Sequence, residues 1–214
     1  MLNKNNFIEF TISQNILQFG NFKTKAGRNS PYFFNLGLIN TGNSLQKIGE
    51  FYKVLIESSQ INYDILYGPA YKGITLVSSI SIAMAKQNKS VPFAFNRKEH
   101  KTHGEGGNII GHPIKGNVII IDDVISAGTS INESIDIIKA YGGNPVAVFV
   151  AIDRQEKGKT DLSAIEEIKE NYQIPVFSLI SLEDIIKYLK QKRDQTDVLN
   201  KMLDYQTKYG VIRR

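Results

Sequence analysis

The stretch that most limits what this chain can fold into is Asn117 to Ile135, NVIIIDDVISAGTSINESI. Val118, Ile119, Ile120 and Ile121 are apolar and β-branched. So short a run reads as a strand covered on both faces, as in a parallel sheet packed between helices. Asp122 and Asp123 follow at its carboxyl end, where ligands of open α/β sheets bind because loop donors there are not consumed by the ladder. The small residues of ISAGTS then open onto a helix N-terminus, whose unpaired N–H groups and dipole favour a phosphate. Two carboxylates beside a phosphate cradle cannot themselves bind phosphate and need hydroxyls or a divalent cation, so the ligand expected is a phosphorylated sugar with magnesium. A Walker-B-like strand, or a capping Asp before a Gly turn, shares this short pattern.

The rest of the chain narrows the choice. GLINTGNS and DRQEKGKT both miss the P-loop pattern, and HGEGGNI misses the dinucleotide fingerprint. YDILYG, SVPFAF, VIII, PVAVFVAI and IPVFSLI are five candidate strands interleaved with helices, which predicts an α/β fold with a doubly wound, mostly parallel sheet. Before them, NNFIEFTISQNIL reads as an amphipathic helix and NFKTKAGRNSPYFFNLG as two short strands around a Gly-Arg-Asn-Ser-Pro turn. NSLQKIGEFYKVLIESS reads as a helix capped by Asn43. Residues 1–40 do not fit the alternation and are expected to form a flap, or hood, over the sheet. Residues 95–113 gather Arg97, Lys98, His100, Lys101 and His103 before three glycines, as a hinged lid that meets a polyanion such as pyrophosphate would. Charge runs of this kind also occur simply as solvated loops.

Composition sets the outer bounds. A length of 214 residues with 42% hydrophobic and 22% charged residues suits one globular domain over residues 1–214. The absence of cysteine excludes disulfides and thiolate chemistry and suits the cytoplasm. No apolar run is long enough for a signal peptide or a membrane span. The net charge of +5 favours anionic partners without naming one.

VIIIDDVISAGTS resembles the phosphoribosyl pyrophosphate (PRPP) signature of the type I phosphoribosyltransferases. Together with RKEHKTHGEGG, KAGRNSPYFFN, GPAYKG and AIDRQEKG, in that family's order from Lys25 to Gly158, it resembles the orotate phosphoribosyltransferases in particular. The resemblance implies the type I phosphoribosyltransferase fold and transfer of ribose 5-phosphate from PRPP to orotate. The products would be orotidine 5'-monophosphate and pyrophosphate, with magnesium as cofactor, in pyrimidine biosynthesis. By matching positions, Asp122 and Asp123 would hold the ribose hydroxyls directly or through magnesium-bound water, within a PRPP loop of Val124, Ile125, Ser126, Ala127, Gly128, Thr129 and Ser130. Ala127 to Ser130 would cradle the 5'-phosphate, Lys72, Arg97, Lys98, Lys101 and His103 would surround the pyrophosphate, and Tyr71 would also bind PRPP, with Lys101, His103, Asp122 and Asp123 as the catalytic set.

Lys25, Phe33, Phe34, Ser126 and Arg154 would form the orotate side, Lys25 also reaching PRPP. A flat anion suits an aromatic wall and a guanidinium fork. Ser126, His100 and Thr102 depart from residues common in that family. The resemblance further implies a cytoplasmic homodimer in which each lid closes over the other subunit's site, without nucleic-acid or membrane partners. At this length the form expected is monofunctional, without a fused decarboxylase barrel, which takes about 250 residues. Two rival functions share parts of the pattern: a purine-type phosphoribosyltransferase, and a PRPP-sensing regulator that binds nucleic acid.

Overall fold

The structure is a computed structural model that describes residues 2–24, 26–98, 108–125, 129–158, 160–192 and 194–211. Its frame is a sheet of β3 (Ile65–Gly68), β4 (Phe93–Asn96), β5 (Ile109–Gly111), β6 (Gly116–Ile121), β7 (Gly143–Asp153) and β8 (Val176–Ser181). The six strands lie in the order β5-β4-β3-β6-β7-β8. All neighbours are parallel except β4 and β5. The expected sheet of about five strands therefore gains β5, a three-residue return strand inside the stretch read as lid. Phe95 and Asn96 belong to β4 and Ile109 to Gly111 to β5, so both ends of the stretch read as a lid are sheet strands. Residues 99–107 of that stretch lie outside the described residues.

Both faces of the sheet are covered, as the run at 118–121 requires. Ile119 and Ile121 join one apolar cluster with Leu76, Val77 and Ile80 of α3 (Lys72–Ala85) and Ile48 and Ile56 of α2 (Gly42–Ser59). Val118 and Ile120 join the other, with Ile131, Ile135 and Ile138 of α4 (Thr129–Ala140) and Ile165 and Ile168 of α5 (Ala164–Tyr172). A fully buried Ile contributes roughly 1.5–3 kcal/mol, so this alternation locks the strand's register. One residue of slip would exchange the two faces.

The crossover through α3 leads from β3 outward to β4, and that through α4 leads from β6 to β7 on the other side. The two helices lie on opposite faces and the connections diverge. They leave a crevice at the carboxyl ends of β3 and β6, the switch point where open α/β sheets bind ligands.

The N-terminal forty residues contain α1 (Lys4–Ser13) and a hairpin of β1 (Leu17–Lys23) with β2 (Asn29–Phe34). Phe7, Ile8, Leu17, Tyr32 and Phe34 share a cluster with Leu179 of β8 and with α6 (Leu182–Lys190) and α7 (Thr196–Tyr209). The hairpin turns at Thr24 to Arg28 rather than at Gly-Arg-Asn-Ser-Pro. Thr24 N donates to Arg28 O at 2.9 Å, and Gly27 takes the positive φ of 76° that the turn demands. Ser30 and Pro31 are thereby freed to be strand residues. The α2 cap is Thr41 instead of Asn43, because Thr41 and Ser44 close a reciprocal capping box, with Ser44 N donating to Thr41 Oγ1 at 3.2 Å and Thr41 N to Ser44 Oγ at 3.3 Å.

Candidate functional site

Asp122 and Asp123 sit at the switch point with exposures of 7% and 9%. The main chain around them is pinned: Asp122 N donates to Phe149 O at 3.0 Å, Ala151 N to Asp123 O at 2.9 Å, and the buried Tyr52 hydroxyl to Asp122 O at 2.7 Å. Asp122 is held by Ser130 Oγ, which donates to Oδ2 at 3.0 Å, and by Asp123 N, which donates to Oδ1 at 2.8 Å. Burial, then the neighbouring Asp123 charge, pushes the Asp122 carboxyl up to about 7. Asp123 pairs with Lys72 Nζ, so two adjacent carboxylates are met by one cation. Val124 and Ile125 pack their side chains into the core, so they offer a ligand only main-chain groups. Thr129 and Ser130 open α4 and are exposed.

Lys72 is the first residue of α3, and two glycines set the turn that leads into it from β3. A Cβ on Gly68 would lie 2.2 Å from Gly73 O, and one on Gly73 would lie 2.6 Å from Gly68 C. Only this backbone-to-backbone approach lets the strand fold straight into α3. Between them, Ala70 N donates to Asn96 Oδ1 at 2.8 Å, and Tyr71 stands 66% exposed with Lys98 Nζ 5.3 Å above its ring. Tyr71, Ile74, Phe95, Arg97 and Lys98 line a groove of about 260 Å³ there. Tyr71, Lys72, Arg97, Lys98, Asp122 and Asp123 thus lie at or just beyond the ends of the neighbouring strands β4, β3 and β6. Lys25, Lys101, His103, Ser126, Ala127 and Gly128 lie outside the described residues.

The expected orotate residues divide. Phe33 is 41% exposed and stacks on Phe22 at 5.4 Å, whereas Phe34 is buried in the core. Successive strand side chains point to opposite faces, so Phe33 presents its ring to solvent while Phe34 packs into the core. Arg154 follows β7 with its guanidinium 4.3 Å over the Tyr32 ring. Its fork is already partly used, because Nε donates to Glu156 Oε1 at 2.7 Å and Nη2 is 2.7 Å from the same oxygen.

Glu156, Arg28, Ser30, Tyr32 and Tyr205 form the surroundings of Arg154, Arg28 by way of Glu156, and were not among the expected site residues. The first four lie inside the quoted stretches KAGRNSPYFFN and AIDRQEKG, where an alternating strand register would have pointed Ser30 and Tyr32 one way and Phe33 the other. Tyr205 reaches Glu156 across 49 residues, and no local pattern announces it.

Comparison with known proteins agrees with this geometry. The phosphoribosyl transferase domain model matches residues 38–178. An orotate phosphoribosyltransferase of Hahella chejuensis is 53% identical over 206 residues, 96% of this chain and 96% of that protein. The crystal structure of the Francisella tularensis orotate phosphoribosyltransferase superposes with a TM-score of 0.87 at 43% identity, covering 96% of this chain and 99% of that one. An orotate phosphoribosyltransferase of Mycobacterium tuberculosis in complex with PRPP shares the fold, with a TM-score of 0.64 at 18% identity over 85% of this chain and 98% of that one. With its PRPP-type strand, paired carboxylates and full-length relatives in agreement, the chain belongs to the phosphoribosyltransferase family, among the orotate phosphoribosyltransferases.

Proposed function

We propose that the chain transfers ribose 5-phosphate from PRPP to orotate, releasing pyrophosphate and forming orotidine 5'-monophosphate for pyrimidine biosynthesis. The observation that carries this reading is the meeting of Lys72, Asp122 and Asp123 at the switch point between β3 and β6. In this reading the two carboxylates receive the ribose hydroxyls, and the α4 N-terminus with residues 127–130 receives the 5'-phosphate. Lys72, Arg97 and Lys98, with Lys101 and His103 of the proposed lid, face the pyrophosphate. Phe33 and Arg154, with Lys25 and Ser126, face orotate. Residues 1–40 act as the hood.

Departure of pyrophosphate leaves oxocarbenium character at the ribose C1, so the site's task is to stabilise negative charge growing on the leaving group. No protein nucleophile is needed. Closure of the lid would keep water from competing with orotate.

The donor set fits magnesium in one particular way. Among the described residues no group of three or more His, Asp or Glu side chains forms a metal cage. With both ionised, Asp122 and Asp123 carry one more negative charge than Lys72 offsets, and a cation there would favour the ionised form of Asp122. Asp122 and Asp123 would therefore hold the ion through its waters and the substrate's oxygens, the usual state of magnesium beside phosphates. Bound there, it would neutralise charge on the departing pyrophosphate.

We also infer, from the likeness to this family, a cytoplasmic homodimer without nucleic-acid or membrane partners. An absorbance assay of orotate consumption with PRPP and magnesium tests the reaction. Turnover of a purine base in place of orotate would assign the chain to the other branch of the family.

A further inference from the structure

Three distant parts of the chain converge on one carboxylate beside Arg154. Glu156 Oε1 receives Arg154 Nε at 2.7 Å and the Tyr205 hydroxyl at 2.8 Å, while Oε2 faces Arg28 Nη1 at 3.3 Å. Arg28 is itself tied down, donating from Nη2 to Lys157 O at 2.8 Å and lying 5.1 Å over the Tyr209 ring. The hairpin, the end of β7 and α7 therefore all hold Glu156. The side chains are mostly withdrawn from water, with exposures of 21% for Arg28, 16% for Arg154 and 14% for Glu156. In such surroundings a guanidinium without a carboxylate would be strongly disfavoured, and charge-assisted bonds are strong and directional.

The orientation that results is specific. The Tyr32 ring covers one face of the Arg154 guanidinium, and Glu156 takes the Nε–Nη2 edge. Ser30 Oγ and the Tyr205 hydroxyl lie 3.4 Å from Nη2. No hydrogen bond to Nη1 is found among the described residues, so Nη1 is the end left to a ligand.

We propose that Glu156 is a positioning residue, kept in place by Tyr205 and Arg28, that aims the Nη1 end of Arg154 at the carboxylate of orotate. The proposal rests on the reading that Arg154 meets that carboxylate. It makes α7, which lies beyond the matched family domain, a working part of the nucleobase side. It also gives the carboxylate the Nη1 side of the guanidinium, the Nε–Nη2 edge being spent internally.

The test is steady-state kinetics of the full chain carrying Glu156→Gln, Tyr205→Phe, Arg154→Ala and the Arg154→Ala, Glu156→Gln pair, with thermal unfolding of each. Glu156→Gln keeps the shape and removes the charge. It should raise KM for orotate about tenfold, the scale of one charge-assisted hydrogen bond, with kcat and KM for PRPP changed less than about twofold. Tyr205→Phe should act in the same direction, more weakly. In the Arg154→Ala background Glu156→Gln should add nothing to KM for orotate, whereas a merely structural role would multiply the losses. Multiplied losses, or equal losses for both substrates, overturn the proposal. If Arg154→Ala raises KM for orotate while the Glu156 and Tyr205 variants do not, the positioning role alone fails; if Arg154→Ala itself leaves it unchanged, the reading of Arg154 fails first. Should Glu156→Gln show no cooperative unfolding, Tyr205→Phe, which removes only a hydroxyl, decides the question by the same ratio of KM values.

Discussion

A carboxyl in the place of Asp122 prefers its proton, because burial withholds water from the anion and Asp123 adds a second charge beside it. Its pKa rises from 3.8 to about 7 on folding, so the folded state binds the extra proton. Stability from this group is fully present below 3.8 and is lost as pH climbs through about 7. Asp122→Asn removes that penalty while keeping the shape. The variant, free of substrates, should gain melting temperature over the parent as pH rises from 4 to 7, hold the gain above 7, and lose turnover throughout. A melting-temperature difference that does not change between pH 5 and pH 8 would show that the buried charge is not what costs stability. Arg154 poses the converse case, a cation already paired with Glu156 yet proposed to meet a ligand anion. Arg154→Ala strands that anion, so KM for orotate should rise about ten- to a hundredfold, matching roughly 1.5–3 kcal/mol for a hydrogen bond to a charged group. KM for PRPP should hardly move, and an equal rise in both would reject the role. The aspartate pair and Arg154 are visible in the sequence because each ends a strongly apolar strand. The burial of Phe34 and the capture of Arg154 by Glu156 are not, since both depend on which face of a strand meets a partner far along the chain.

Among the elements, β3, β4, β6, β7 and β8 are legible because their signal lies within a few consecutive residues. β5 is not, because Ile109 to Gly111 is a strand only by virtue of pairing with β4. The α2 cap is ambiguous for a local reason, with Thr41 and Asn43 both capable and the Thr41–Ser44 box deciding between them. The turn after β3 shows how an element carries function. Gly68 and Gly73 touch through backbone atoms, so no side-chain rotation can relieve an added methyl, and overpacking of this kind costs about 1–3 kcal/mol. Gly73 also precedes Ile74 and follows Lys72, so any backbone shift moves the lysine paired with Asp123. Gly73→Ala should therefore lower the melting temperature and raise KM for PRPP. Gly42→Ala is the control, because a Cβ there meets nothing within 4 Å and alanine favours a helix start over glycine. If Gly73→Ala melts and turns over like the control, the close approach does not position Lys72.

At the scale of the whole molecule, the proposed homodimer raises the question of which subunit's proposed lid serves which site. β5 is the edge strand of the sheet and pairs with β4, while Asp122 and Asp123 stand at the end of β6, three strands in from β5. Cations on the proposed lid can serve their own crevice or, in a two-fold dimer, the neighbour's, and symmetry would then complete both sites at once. The proposed homodimer makes the two arrangements separable. A Lys101→Ala subunit keeps good aspartates, and an Asp122→Asn, Asp123→Asn subunit keeps a good lid. Each homodimer should be nearly inactive under either arrangement. Mixed and allowed to exchange, the two give heterodimers, and if lids are shared one site in each heterodimer joins the intact aspartates to the intact lid. Activity should then return toward one working site per heterodimer, rising with the heterodimer fraction measured by differently tagged subunits. If lids act on their own subunit, every site in the heterodimer carries a defect, and no activity returns however complete the exchange.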